Sequence, residues 1–519
     1  MKKLFTFLMI ALVAFSVSAE DYNLYICGVQ VTSENAQNLT QILTEKGYLK
    51  SGTVSFDDGY KLTLNNAVIS SPKDIIYINH NGGDYKAVNS LNIWVMGECS
   101  LETDASNSNL SCISSVGSVK TYQSYLFSGL GKLTMTSGNI AFMTYYKDWV
   151  SYTVAGPDVT INGGNYGIYS TSVYSVEYDM AAGSLTVDGS QLAIWHFFNF
   201  EEGQLGKMDL NNGMEILEPE GGHLVFNPAT GVTIQDGNNV SAKHVKIGVR
   251  NYDLSVGGVQ VTSQNRDDIL GDGKVVYNPE DNTLTLDNAT ITAERCVISN
   301  IPGLKILVQG EVTITSTRHG SSGILFNNSD DAVIEGVSSQ GEYAKLNINV
   351  PDGNYVTPAI YFISKYGGDE HRAFIKNIDI NMAGNAYISS ENWDEALTVK
   401  NSSIISNNDY SYFSVMSDVQ LDGCYVALPE GGYFENGSLL NASGNQHCGA
   451  FQILRLQNIV GDVNCDGSIN AADVTALYNY ILNGDETYLS TSDVNNDGAV
   501  NAGDVTAVYN IILGNNITQ

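Results

Sequence analysis

The chain has 519 residues, with 56 Asp and Glu against 25 Lys and Arg, and therefore a formal net charge of −31. So large an acidic excess argues against nucleic-acid binding, because neutralising phosphates requires clustered Lys and Arg. The length exceeds what a single hydrophobic core usually organises, so we expect two or three domains.

The N-terminal segment, 1–19, has the pattern of a secretory signal peptide. Lys2 and Lys3 precede an apolar run from Leu4 to Phe15, and small residues follow at positions 17–19. The apolar run is too short to span a bilayer, and no later segment is long and apolar enough to do so. We therefore predict a signal peptide at residues 1–19, no transmembrane segment, and a protein that is secreted or extracellular, or attached to a cell surface through a partner.

An internal duplication dominates the chain after the signal peptide. The segment 22–33 returns as 252–263, and the segment 61–69 returns as 283–291. The offset between matching positions falls steadily, from the first pair, Tyr22 and Tyr252, to the last, Pro219 and Pro429. A falling offset indicates that one ancestral domain was copied once and that the second copy then lost residues. We predict domains at residues 20–250 and 251–459, followed by a separate domain at 460–519.

A shorter repeat recurs inside each copy. Alternating apolar strands begin at nearly even intervals in the first copy, at Leu133, Val159, Leu185 and Met208. In the second copy the intervals are somewhat shorter, with strands at Ile378, Leu397 and Val419. Alternation places the apolar side chains on one face, and the Gly, Asn, Asp or Ser residues that follow favour bends.

This repeat predicts a mainly β protein with two tandem right-handed parallel β-helix-like domains, in which each short strand stacks on the one before it. Such a stack needs covered ends. The repeated opening, residues 22–33 and 252–263, is the predicted cap. The alternative fold is a pair of antiparallel β-sandwiches, for which Asp188-Gly189 and Asp422-Gly423 would be hairpin signals.

Both copies resemble a group of secreted β-helical carbohydrate-binding domains. The resemblance rests on the opening Tyr-x-Leu…Gly-Val-Gln-Val-Thr-Ser and on Leu-Thr-Leu-x-Asn-Ala-x-Ile. It implies binding to a polysaccharide but does not identify the residues that bind.

Aromatic side chains are the candidates for contact with sugar, because they stack on the apolar face of a pyranose. A cluster between two repeats forms either a binding platform on a loop or a loop folded onto the strands: Tyr145, Tyr146, Trp149 and Tyr152. We expect Trp195, at the end of a repeat, to serve packing, and Trp393, between two acidic residues, to be exposed.

A catalytic site is not recognisable. Glycoside hydrolases need carboxylates that converge across the scissile bond. Asp330-Asp331 and Arg318-His319-Gly320 have some likeness to pectin-hydrolase motifs but occur in the wrong order, so a surface turn is predicted. Glu220 and Glu430, shared by the two copies, are expected to shape turns. A glycoside hydrolase or polysaccharide lyase with unrecognised catalytic residues remains the alternative to a non-catalytic binding protein.

The Cys residues are too few and too scattered for a disulfide framework. Cys99 with Cys112 is one candidate bridge. Cys465 is interpreted as a tolerated substitution.

The C-terminal segment contains two copies of a loop followed by a helix, with the loops starting at Asp462 and Asp493. Oxygen-bearing side chains at loop positions 1, 3, 5, 9 and 12, with Gly at position 6 and a carbonyl at position 7, match the ligand needs of Ca²⁺. The spacing predicts two Ca²⁺ ions. The predicted ligands of the first loop are Asp462, Asn464, Asp466, Ser468, Asn470 and Asp473. Those of the second loop are Asp493, Asn495, Asp497, Ala499, Asn501 and Asp504.

This tandem arrangement, with Asp at position 12, resembles the type I dockerin domain. The resemblance implies a small α calcium-binding module of paired loop–helix units and a cohesin-like module as its partner. Loop positions 10 and 11 often carry a hydroxyl pair in that family, whereas here they are Ala471-Ala472 and Ala502-Gly503. Residues 461–519 also contain no Lys or Arg. The alternative is that the module packs on the chain's own β-domain.

Overall fold

The structure is a computed structural model and describes these ranges: 20–117, 121–198, 205–227, 231–339, 342–351, 357–365, 372–391, 395–409, 411–414, 416–456, 460–464, 469–484 and 492–514. The predicted signal peptide, Trp393, Cys465, Asp466 and Ser468 lie outside the described residues.

The chain divides into two units, Met1–Arg250 and Asn251–Gln519. Both are mainly β. The first unit has a 3₁₀ helix at Ala36–Asn38 followed by a helix at Leu39–Glu45, and the second has helices at Ala471–Asn483 and Ala502–Ile512. In the described part of the chain, no helix has the length and apolar character needed to cross a membrane.

Within its described ranges the first unit contains eighteen strands, numbered in chain order. They are β1 Asp21–Ile26, β2 Val29–Thr32, β3 Leu49–Phe56, β4 Lys61–Ser71, β5 Ile76–Asn79, β6 Ser90–Met96, β7 Glu98–Thr103, β8 Ile113–Val116, β9 Tyr122–Gly129, β10 Lys132–Ser137, β11 Ile140–Gly163, β12 Tyr166–Gly189, β13 Leu192–Phe198, β14 Leu205–Leu210, β15 Met214–Glu218, β16 His223–Asn227, β17 Gly231–Gln235 and β18 His244–Val249.

Successive repeats of the first unit pair in parallel and in register. Leu133 pairs with Val159, and Val159 pairs with Leu185, as their equal spacing along the sequence implies. The fourth predicted repeat does not continue this ladder, because Met208 pairs with Tyr178 instead. Strands β11 and β12 are each 24 residues long, so each runs through positions that belong to separate ladders.

The described part of the second unit contains twenty-three strands. They are β19 Asn251–Val256, β20 Val259–Thr262, β21 Val275–Asn278, β22 Thr283–Asp287, β23 Thr290–Ala293, β24 Val297–Ser299, β25 Lys305–Gln309, β26 Glu311–Ser316, β27 Ile324–Phe326, β28 Val333–Val337, β29 Ala344–Asn349, β30 Thr357–Phe362, β31 Arg372–Lys376, β32 Ile378–Ala383, β33 Ala386–Ser390, β34 Ala396–Lys400, β35 Ser403–Ser406, β36 Tyr412–Ser414, β37 Asp418–Asp422, β38 Cys424–Leu428, β39 Tyr433–Glu435, β40 Ser438–Leu440 and β41 Phe451–Arg455.

Three seven-stranded sheets of the second unit each take every third strand along most of their length. Their orders are β20-β19-β24-β27-β30-β33-β36, β21-β22-β25-β28-β31-β34-β37 and β23-β26-β29-β32-β35-β41-β38. The repeated strands pair in parallel, which is not the pairing of the antiparallel alternative. The predicted repeat at Ile378 belongs to a different sheet from those at Leu397 and Val419, which pair with each other.

Antiparallel strands lie at one end of each of these three sheets, whereas β36, β37 and β23 at the other ends pair in parallel with their neighbours. The repeated opening forms the hairpin β1–β2 in the first unit and β19–β20 in the second, and its first strand pairs antiparallel with β5 or β24. At the other end of the second unit, β41 pairs antiparallel with both β35 and β38.

Alternation along the strands places aliphatic side chains in the interior of each unit. The first unit has a buried cluster running from Tyr22 to Ile247 and the second has one from Leu254 to Ile453. Asn residues occupy left-handed bends between strands, at φ of 53° for Asn377 and 45° for Asn401. These two stack, because Nδ2 of Asn401 donates to Oδ1 of Asn377 at 2.9 Å. Asn tolerates this backbone region better than most residues.

The candidate bridge between Cys99 and Cys112 is absent, since both residues are free thiols. Each is buried, and Sγ of Cys112 lies 3.2 Å from the carbonyl of Thr136. Burial raises the pKa of the Cys112 thiol to about 12 and that of Cys27 to about 11.

Candidate functional site

The C-terminal module is built symmetrically from its two loop–helix units. Its buried cluster contains the same four positions of each unit: Val463 and Val494, Val474 and Val505, Ala476 and Ala507, Leu477 and Val508. Each helix begins with a capping box, in which Asn470 or Asn501 at the N-cap accepts from the helix backbone while the Asp at the third helical position bonds back to the N-cap amide.

The Asp at loop position 12 ties each helix to the start of its loop. Oδ1 of Asp504 accepts from the amides of Val494 at 2.7 Å and Asn495 at 3.1 Å, while Oδ2 accepts from Asn501 at 2.8 Å. Asp473 repeats this in the first loop, with Asn464 at 3.0 Å and Asn470 at 2.8 Å. Both carboxylates are fully buried. A buried carboxylate of this kind needs such hydrogen bonds to offset its desolvation.

The second loop lies wholly within the described residues, and its side-chain oxygens accept from the loop's own amides. Asp493 accepts from Asp497 at 3.1 Å and from Gly498 at 2.9 Å, and Asn495 accepts from Asp497 at 3.0 Å. Gly498 has φ of 85°, and a Cβ there would meet nothing, so glycine is needed for its backbone angle rather than for space. In the first loop the structure describes four of the predicted side-chain ligands: Asp462, Asn464, Asn470 and Asp473.

The donor set of the second loop fits a hard cation. Carboxylate oxygens, amide oxygens and the Ala499 carbonyl are the ligand types that Ca²⁺ takes, usually about six to eight of them. Within the described ranges, no group of three or more His, Cys, Asp or Glu residues forms a metal-binding cluster. Besides its carboxylates, the loop offers the side-chain oxygens of Asn495 and Asn501 and the Ala499 carbonyl.

Two acidic residues of the second unit form a buried cluster that the sequence did not reveal. Glu395 accepts from the hydroxyl of Ser329 and from the amide of Ala373 at 3.0 Å. Asp330, predicted to lie in a surface turn, is only 5% exposed, and its Oδ1 accepts from Ser364 at 2.6 Å. Its Oδ2 has no hydrogen-bond partner among the described residues. The prediction of a surface position was wrong for Asp330 because its neighbours in the next turns fold over it.

Burial raises the pKa of Glu395 to about 7. The hydrogen bonds from Ser329 and Ala373 oppose this shift, and the nearby charges of Asp330 and Asp331 add to it. A carboxylic acid with such a pKa can serve as a general acid, provided that it reaches a substrate. The Glu395 side chain is fully buried, so it ties neighbouring turns together rather than facing a groove.

The aromatic cluster was predicted to lie on a loop, as a platform or folded onto the strands, but it lies in a strand. All four residues lie in β11, and Tyr152 is buried in the core, stacked on Tyr178 with ring centroids 5.0 Å apart. Trp149 is partly exposed and packs against Tyr122 at 5.9 Å. Residues 149–155 pair in parallel with β9, which is why the sequence between two repeats is a strand here.

Trp195 lies on the outer face of its sheet. Its ring is partly exposed and lies 5.4 Å from the rings of both Tyr166 and Tyr169. Its packing role was predicted, but its position at the surface was not. Glu220 and Glu430 are exposed at matching turns, where Gly222 and Gly432 donate to the carbonyls of Pro219 and Pro429.

Comparison with protein families matches residues 460–516 to the dockerin type I domain. The prediction of a type I dockerin at the C-terminus is thereby confirmed. Domains of this family bind calcium in general. Searches of curated proteins and of solved structures found no match to the chain.

Proposed function

We propose that this is a secreted, non-catalytic protein of a polysaccharide-degrading system, which docks through its dockerin onto a cohesin-like module and binds polysaccharide through its two β copies. The observation that carries the proposal is the match of residues 460–516 to the type I dockerin, together with loops whose oxygens suit Ca²⁺. Dockerin proteins are generally extracellular or attached to a cell surface.

In this proposal the domains are residues 20–250, 251–459 and 460–519, after a signal peptide at 1–19. The two β copies are right-handed parallel β-helices. The parallel, every-third-strand pairing of the second unit supports this fold, because it is the pattern that a chain wound around three faces produces.

The dockerin would hold two Ca²⁺ ions, one in each loop. Asp462, Asn464, Asp466, Ser468, Asn470 and Asp473 would bind the first, and Asp493, Asn495, Asp497, Ala499, Asn501 and Asp504 the second. Each ion would neutralise the mutual repulsion of the loop carboxylates and join the start of the helix to the start of the loop, so folding of the module would depend on calcium.

The docking surface would lie on the exposed side of the two helices. Tyr478 and Tyr509 are 43% and 47% exposed, and Leu482 and Leu513 are 73% and 70% exposed. Large apolar side chains exposed at matching positions mark a contact surface. They would supply the contact that the missing hydroxyl pair at loop positions 10 and 11 supplies elsewhere in the family.

The test uses the mature full-length chain with calcium. Binding to a cohesin that is abolished by chelator supports docking, and binding to at least one polysaccharide of a panel, without release of products, supports the β-domain function. New reducing ends, or the ultraviolet absorbance of unsaturated uronates, would show instead that the β region is a hydrolase or a lyase. No binding to any cohesin would contradict the docking proposal.

A further inference from the structure

We propose that the outer face of one sheet in each β copy binds a linear, uncharged pyranose polysaccharide that runs across the strands. In the first copy it is the ladder of β1, β5, β8, β11, β12 and β13, which is part of one eighteen-stranded sheet, and in the second it is the sheet that contains β24. The inference rests on the proposed polysaccharide binding and names the surface responsible. Both sheets occupy the same place in their copies, because β5 and β24 each pair antiparallel with the first strand of the repeated opening.

In the first copy this face carries a column of side chains in register from strand to strand, of which Ser114 is fully buried and donates to Asp74 at 2.6 Å. The pairings run from Tyr25 through Tyr77, Ser114, Met143 and Tyr169 to Trp195. Aromatic rings occupy both ends of the column. Tyr25 and Tyr77 lie 5.8 Å apart, and Tyr169 and Trp195 lie 5.4 Å apart. All four are partly exposed, so their rings are accessible to a ligand.

In the second copy the same face forms a groove of about 450 Å³. Its floor includes Ile298, Leu325 and Tyr361, which pair in register on three adjacent strands. Tyr387 also lines the groove and is stacked on Tyr412, with ring centroids 4.4 Å apart and planes at 16°. A volume of this size is within the usual range for sites of small molecules or of short segments of a polymer.

The chemistry of the groove favours an uncharged polyhydroxylated ligand. Ser321, Ser322 and Asn327 line it beside the apolar floor, and Arg295 is the one charged side chain among its described lining residues. Hydroxyls of a sugar can exchange hydrogen bonds with these groups while the ring stacks on Tyr361 or Tyr387.

The charge of the protein argues against two other ligands for this face, an anionic polymer and a second copy of the chain. A carboxylate lies close to the groove, since burial and then the charge of Glu391 raise the pKa of the Tyr361 hydroxyl. An anionic polymer would also approach a chain of net charge −31, and a second copy of this chain would bring the same charge with it. A neutral polysaccharide is repelled neither by the carboxylate of Glu391 nor by the net charge of the chain.

The geometry of the sheet suits a linear polymer. Adjacent strands lie about 4.8 Å apart, so the neighbouring rings of Tyr25 and Tyr77, and those of Tyr169 and Trp195, are spaced close to the repeat of an extended pyranose chain. The aromatic rings occur on different strands in the two copies. Each copy would therefore contact the polysaccharide at different positions along the same face.

The test measures binding of the full-length mature protein to neutral β-glucans and to polygalacturonate, by pull-down and by affinity electrophoresis. The test variant combines Trp195→Ala with Tyr361→Ala. The control is Trp94→Ala, because Trp94 is 39% exposed on β6, which belongs to a different ladder of the first unit. The double variant should lose affinity for the neutral polysaccharide by about tenfold or more, because it removes one stacking ring from each copy.

A second double variant, Trp195→Phe with Tyr361→Phe, keeps the rings and should retain most of the affinity. Circular dichroism and melting temperature identify any variant that fails to fold. If the wild type binds and the alanine variant binds equally well, the surface is wrong while the proposed polysaccharide binding stands. Binding to polygalacturonate alone would overturn the uncharged ligand, and self-association abolished by the alanine variant would make this face a contact between copies. Absence of binding to every polysaccharide would remove both proposals together.

Discussion

The hydroxyl of Tyr178 lies 2.6 Å from Nε2 of His196, and both side chains are fully buried inside the first unit. Nδ1 of the same imidazole is bonded to the hydroxyl of Ser170. Ser170 and His196 are register neighbours on adjacent strands, and Thr144 occupies the same position on the strand before them. A polar column therefore runs through the core beside the stacked rings of Tyr152 and Tyr178.

His196 should make the first unit sensitive to acid. Burial lowers its pKa from 6.5 to about 3. Because the folded state disfavours the protonated form, this contribution to the free energy of unfolding is fully present above pH 6.5 and is lost as the pH falls towards 3. Each pKa unit corresponds to about 1.4 kcal/mol. Thermal unfolding across this range should show a smaller loss of stability in His196→Gln; an unchanged pH slope would contradict the assignment.

Glu395 should make the stability of the second unit depend on pH in the opposite direction. Its pKa is raised from 4.5 to about 7, so its protonated form is favoured by folding. The contribution to stability is complete below pH 4.5 and is lost as the pH rises through 7. Glu395→Gln mimics the neutral acid, so it should be only slightly less stable than wild type at low pH but more stable in mildly alkaline buffer. The exposed carboxylate variant Glu430→Gln is the control and should leave the pH profile unchanged.

Asp504 is expected to couple calcium to helix formation. Asp504→Ala removes the acceptor for three backbone amides and one proposed ligand, so calcium affinity should fall by about tenfold or more. Isothermal titration and far-ultraviolet circular dichroism measure the two effects. Asn496→Gly is a matched control, because Asn496 has φ of 58° and is not a proposed ligand. Equal calcium affinity in wild type and Asp504→Ala would exclude Asp504 as a ligand.

Leu482 and Leu513 should contribute to docking but not to folding. Both side chains are largely exposed, so Leu482→Gln with Leu513→Gln should leave the melting temperature almost unchanged. Cohesin binding, measured by surface plasmon resonance in calcium, should weaken by about tenfold or more, since fully burying a leucine contributes roughly 1.5–3 kcal/mol. Unaltered binding would place the docking surface elsewhere.

The thiols should differ sharply in reactivity. Cys448 is exposed, whereas Cys27 and Cys112 are buried and have a raised pKa. The thiolate is the reactive form. Brief alkylation of the folded chain at neutral pH, followed by peptide mass spectrometry, should therefore modify Cys448 well before Cys27 or Cys112. Modification of all three at similar rates would show that the buried positions open readily.

The sequence predicted the ladder of Leu133, Val159 and Leu185 because equal spacing and alternation survive in the chain as written. It misplaced Met208, since strand spacing alone does not say which of several ladders a strand joins. The dockerin was recognisable because the residues of each loop that carry the pattern are close in sequence. The sequence did not reveal the contact between Ser329 and Glu395 or the column from Tyr77 to Trp195. Their residues are far apart in the sequence, and only the register of the strands brings them together.

The opening hairpins β1–β2 and β19–β20 also limit how the protein can vary. A rung inserted after the hairpin has a strand neighbour on each side, whereas one added in front of it would leave an unpaired strand at the edge of a sheet, which can recruit other chains. The shortened second copy keeps its opening hairpin and its β41 closure. Rungs can therefore be gained or lost inside each copy while the hairpin that opens it is kept.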